Sequence, residues 1–144
     1  MIASPSKPRR KMQQRRKINV AQPAIRPLLL DLGCCGLATL GPGWPAVDGG
    51  AYDLVPAQAN LLIVAGRISP AICPHLDALY QQLAQPRWVI AYGVCAISGA
   101  IFDTIAVEHL LPVDARIAGC PPHPNALYHA LSNLSRQKTH RSAL

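Results

Sequence analysis

The sequence holds a single phenylalanine, two tryptophans and four tyrosines, and only seven acidic residues. Aliphatic side chains must therefore fill whatever core it builds. No apolar run approaches the roughly 20 residues that a membrane-spanning helix needs. There is no glycine-rich phosphate loop, no nucleophile–base signature and no internal repeat. Asp53 and Asp103 stand far apart with nothing to mark them as a catalytic pair.

Acid is wholly missing from the first 17 residues, where Lys7, Arg9, Arg10, Lys11, Arg15, Arg16 and Lys17 account for seven of the 14 basic residues. The remainder balances seven basic against seven acidic residues, so the net charge of +7 belongs to the amino-terminal segment. Residues 1–26 read as a basic, self-repelling, disordered tail. It reads either as a solvated tail with no specific role or as a contact for anionic lipid or an acidic partner subunit. Nucleic acid would not suit it, because no basic residues interleave with aromatics in the rest of the chain. Arg9-Arg10 invites an export reading, but Pro23, Arg26 and Pro27 interrupt the apolar stretch that a signal requires. Five cysteines in a chain that is not exported are unsuited to structural disulfides, which leaves metal binding or burial.

Half the residues are apolar and 144 residues suffice for one domain, placed at 27–135, with a polar carboxyl-terminal tail at 136–144. Pro27 to Leu32 reads as a buried strand ending at Gly33, and Gly36 to Leu40 as a brief helix or turn. Asn60 to Gly66 and Arg87 to Gly93 are continuous apolar runs closed by glycine, the pattern of parallel strands covered on both faces. Val113 to Gly119 is a weaker third case, interrupted by Asp114 and Arg116. Ser69-Pro70 supplies an N-cap and a first-turn proline for a helix carrying Leu76, Leu79, Tyr80 and Leu83 and stopped by Pro86. A last helix follows Pro124, with Ala126, Leu127, Ala130, Leu131 and Leu134 on one stripe. Alternating strands and helices imply a doubly wound parallel α/β sheet, whose functional edge is the carboxyl end of the strands.

The cysteines fall on that edge. Cys34 and Cys35 follow the first strand, Cys95 the Arg87–Gly93 strand and Cys120 the last. Glycine flanks each position, at Gly33, Gly36, Gly93 and Gly119, and lets backbone approach a bulky group and offer N–H donors. Four thiolates suit either a [4Fe–4S] cluster or tetrahedral zinc, and buried thiols remain the third reading. Zinc sites usually draw on close Cys-x-x-Cys pairs, whereas here two cysteines are neighbours and the next lie 60 and then 25 residues on. Cys73 reads as a small buried apolar residue. His123 reads as a solvated or capping histidine, and His75, His109, His129 and His140 show no ligand spacing. Arg87 could anchor a carboxylate, within the chain or on a neighbouring subunit.

Gly33-Cys34-Cys35-Gly36, Leu62 to Gly66, Pro86 to Ile90, Gly93-Val94-Cys95-Ala96, Pro112-Val113-Asp114 and Gly119-Cys120-Pro121-Pro122 occur in the order seen in one known family. Over about residues 28–134 the chain resembles the B subunit of NADH–quinone oxidoreductase (respiratory complex I), which is related to the small subunit of [NiFe] hydrogenases. The resemblance implies a flavodoxin-like fold and one [4Fe–4S] cluster ligated by Cys34, Cys35, Cys95 and Cys120. It implies an electron-transfer subunit that passes electrons toward quinone but has no activity alone. Its partners would be the large catalytic subunit and neighbouring iron–sulfur subunits, with quinone at the subunit interface. Its place would be peripheral, on the cytoplasmic side of the inner membrane. The adjacent Cys34–Cys35 pair favours complex I over the hydrogenase branch, where the first two ligands are typically Cys-x-x-Cys. The small subunit of a membrane-associated [NiFe] hydrogenase and a divergent non-redox zinc or interaction module are the alternatives. Two departures stand out: Ala38 occupies the position of a family glutamate, and the glycine-rich stretch after the third cysteine is reduced to Ser98-Gly99. Tyr52-Asp53 matches a tyrosine–aspartate pair of the family.

Overall fold

Two apolar runs form the centre of the sheet in the computed structural model, which describes residues 25–38, 55–100 and 104–141. The basic segment, the Tyr52-Asp53 pair and Asp103 lie outside the described residues. Strands β1 (Pro27–Leu32), β2 (Leu61–Gly66), β3 (Trp88–Tyr92) and β4 (Ala115–Ile117) lie side by side in sequence order, and every pairing is parallel. β2 and β3 are buried at every position, as strands covered on both faces must be.

Alternation along these strands sorts the core into two layers. Leu61, Ile63, Ala65, Trp88, Ile90, Tyr92 and Ile117 face one way and pack against Leu127, Leu131 and Leu134 of helix α4 (Pro124–Arg141). Leu62, Val64, Val89 and Ala91 face the other way. They meet Leu76 of helix α2 (Cys73–Gln82), Leu83 just beyond its end, Ala96 of the short helix α3 (Val94–Ser98), and Val107 and Leu111. The architecture is thus a parallel α/β sheet sandwiched between helices, as the alternating pattern predicts, and is consistent with the flavodoxin-like fold that the resemblance implies. Leu127 is fully buried, and burial of that size stabilises by about 1.5–3 kcal/mol per side chain.

Local differences from the sequence reading have specific causes. Helix α1 (Cys34–Ala38) begins on the cysteine pair itself, two residues earlier than expected. Pro70 opens only a 3₁₀ turn, Pro70–Ile72, and α2 starts at Cys73. The Cys73 N–H bonds Pro70 O, whereas Pro74 has no N–H to give the bond that a continuous α-helix would need there. Ser69 makes no side-chain cap; its carbonyl accepts from the Ile72 N–H and the Cys73 thiol. β4 is short because Asp114 does not extend it. Its carboxylate instead accepts the Val89 N–H at 2.8 Å, and its own N–H bonds Val89 O at 2.9 Å, which fixes where β4 starts. α4 continues to Arg141, past the boundary expected at residue 135.

Candidate metal centre

The register decides which residues share the carboxyl rim. Leu32 pairs with Gly66, Ala65 with Tyr92, and Tyr92 with Ile117, so the segments leaving β1, β3 and β4 emerge at one edge. Cys34 and Cys35 open α1 there, Cys95 is the second residue of α3, and Cys120 lies in the turn before α4. The β3 and β4 exits are tied together: Gly93 N–H donates to Ile117 O at 2.8 Å and Val94 N–H to Gly119 O at 3.0 Å.

The structure brings the other three predicted thiols around Cys35. Cys35 is buried, and its thiol pKa is pushed up to about 11, first by burial, then by Cys34 through charge and a side-chain hydrogen bond, and then by the charges of Cys120 and Cys95. Each of the other three cysteines therefore lies within electrostatic reach of that sulfur. Cys95 is also buried, whereas Cys34 and Cys120 are exposed, so the group has an inner and an outer half. Among the described residues no three His, Cys, Asp or Glu side chains stand close enough together to hold a single ion.

The flanking glycines have local reasons. A Cβ on Gly93 would come within 2.6 Å of Cys35 Sγ, so the absent side chain makes room for that sulfur. A Cβ on Gly36 would collide with the Asp31 carboxylate, which accepts the Gly33 N–H at 3.0 Å and so shapes the turn into the cysteine pair. A Cβ on Gly119 would collide with Pro122 of its own turn.

Cys73 stands apart from the four: it packs against the α2 face of the sheet and bonds Ser69 O at 3.5 Å. His123 Nδ1 accepts the Asn125 N–H at 3.2 Å at the start of α4, a capping role. Arg87 bonds Gln81 at 2.8 Å and lies over the Tyr80 ring. Two residues that the sequence reading did not single out prove relevant. Asp31 was visible as the one acid in an apolar strand. Tyr92 gave no signal in a strand where an aromatic is ordinary; its hydroxyl donates to Pro122 O at 3.3 Å, and burial and then Cys35 push its pKa up to about 12.

Residues 20–134 match the family described as NADH ubiquinone oxidoreductase, 20 Kd subunit. The B subunit of NADH-quinone oxidoreductase from Mycobacteroides abscessus is 38% identical over 130 residues, which cover 84% of this chain and 71% of the relative. Its counterpart from Thermobifida fusca is 40% identical over 124 residues, covering 80% and 67%. Among solved structures, a chain of the membrane-bound sulfane sulfur reductase, an archaeal respiratory membrane complex, superposes with a TM-score of 0.65 at 27% identity, covering 78% of this chain and 70% of that one. Fold and relatives together define the class, a subunit of a complex I-like respiratory oxidoreductase. The chain belongs to the 20 Kd subunit family of NADH ubiquinone oxidoreductase, the family of the bacterial B subunits that it matches.

Proposed function

We propose that Cys34, Cys35, Cys95 and Cys120 hold one [4Fe–4S] cluster and that the chain relays electrons toward quinone within a complex I-like assembly. The observation that carries this reading is the environment of Cys35, whose thiol feels each of the other three. Tetrahedral zinc, with bonds of about 2.3 Å, needs its sulfurs nearly in contact. Zinc sites also usually draw on close Cys-x-x-Cys pairs, whereas a larger four-cornered centre suits four thiols drawn from three segments. The chemistry of the donor set therefore fits the group.

When bound, such a cluster supplies reversible one-electron chemistry. The chain's own part is to ligate, bury and orient. Cys35 and Cys95 would hold the inner side against the apolar end of β3. Cys34 and Cys120 would face outward, toward the large catalytic subunit and the neighbouring iron–sulfur subunits between which electrons pass. The raised Cys35 pKa means that ligation must expel a proton from a site that resists charge, so the incoming metal stabilises the thiolate. Among the described residues no helix is long and apolar enough to cross a membrane. The family resemblance suggests a peripheral place on the cytoplasmic side of the inner membrane.

In the assembled complex, Cys120→Ala should abolish NADH-driven quinone reduction while leaving NADH oxidation by an artificial dye intact, because an upstream acceptor bypasses this chain. Quinone reduction persisting in a correctly assembled Cys120→Ala complex contradicts the relay role.

A further inference from the structure

Among the described residues, three hydrogen bonds join the end of β3 to the end of β4 and to the turn after it that carries Cys120. Two are backbone bonds, Gly93 N–H to Ile117 O and Val94 N–H to Gly119 O, which many sequences could supply. The third depends on one side chain: Tyr92 O–H to Pro122 O at 3.3 Å, between two buried residues. The backbone bonds reach no further along the turn than Gly119. Without the tyrosine hydroxyl, nothing among these three contacts restrains the far side of the turn, beyond Cys120.

Resting on the proposed cluster site, we infer that Tyr92 is a positioning residue whose hydroxyl latches the Cys120 turn to the strand end that leads into Cys95. The tyrosine ring belongs to the same buried layer as Cys35, so one side chain borders the pocket of the inner thiol and holds the turn of an outer one. Its role is geometric: the hydroxyl meets a carbonyl and is itself no ligand. Loss of the latch lets the Cys120 turn open to water, which weakens the hold on that corner and stabilises the more highly charged reduced form of any anionic centre held there.

The test compares the full chain with Tyr92→Phe, which keeps the ring in the core and removes only the oxygen. In the metal-free chains, amide hydrogen exchange at Val94 should be about fivefold faster in Tyr92→Phe, the size expected for one neutral hydrogen bond, with exchange at Leu62 in the sheet centre unchanged. In chains reconstituted anaerobically with iron and sulfide, Tyr92→Phe should release iron to a chelator about fivefold faster and show a raised midpoint potential and an altered EPR line shape. Unchanged Val94 exchange overturns the latch. Faster exchange with an unchanged release rate, potential and line shape overturns its role in positioning the ligand. A wild-type chain that takes up no iron defeats the cluster reading on which the inference rests, while the exchange experiment still decides the latch.

Discussion

Gly93 lies directly against the inner thiol of the site: a Cβ built on it would stand 2.6 Å from Cys35 Sγ. Its φ of +91° adds a second constraint, because side chains rarely adopt that backbone. Gly93→Ala should therefore displace Cys35 and destabilise the fold by about 1–3 kcal/mol from backbone strain. Thermal unfolding gives the stability change and iron content after reconstitution gives the site change; both should fall.

The cysteines should separate into two groups. Cys34→Ala, Cys35→Ala, Cys95→Ala and Cys120→Ala should each lower iron uptake sharply. Cys73→Ala should leave it unchanged, since Cys73 packs on the α2 face and bonds only to Ser69 O among its described partners. Equal iron in Cys73→Ala and wild type, measured on the same preparation, is the expected outcome.

The metal-free chain should lose stability in alkali. The Cys35 thiol is raised from 9.0 to about 11, so the folded state holds its proton more tightly than the unfolded chain. That contribution is fully present below pH 9 and is lost as the pH climbs through about 11. Denaturant midpoints taken between pH 8 and 11 should fall, and Cys35→Ala should flatten the decline.

Ala38 ends α1, four residues after Cys34 on the same short helix, and is exposed. It has no proton to exchange. Installing Ala38→Glu should make the midpoint potential of the reconstituted chain fall more steeply with pH than in wild type. The limit for one proton per electron is about 59 mV per pH unit. Equal slopes would show that this position lies beyond the influence of the site.

The central strands were legible because burial on both faces leaves a plain trace, an unbroken apolar run, and residues 61–66 and 88–92 both carry it. The placement of all four thiols on one rim followed from the expected ends of the first strand, the Arg87–Gly93 strand and the last strand, together with the sequence positions of the cysteines. The start of α2 was not legible from Ser69-Pro70 alone, since it depends on Pro74 lacking the donor for Pro70 O. Asp114 looked like an interruption in an apolar strand; its carboxylate proves to bond the neighbouring strand's Val89 N–H. Tyr92 shows the general limit. Its partner carbonyl lies 30 residues away, and only the fold brings the two together.

The most direct test of the central claim is the count of iron and acid-labile sulfide bound per full chain after anaerobic reconstitution. Four thiolates gripping one cluster predict about four of each per chain. One zinc with no sulfide, or no tightly bound metal at all, contradicts it.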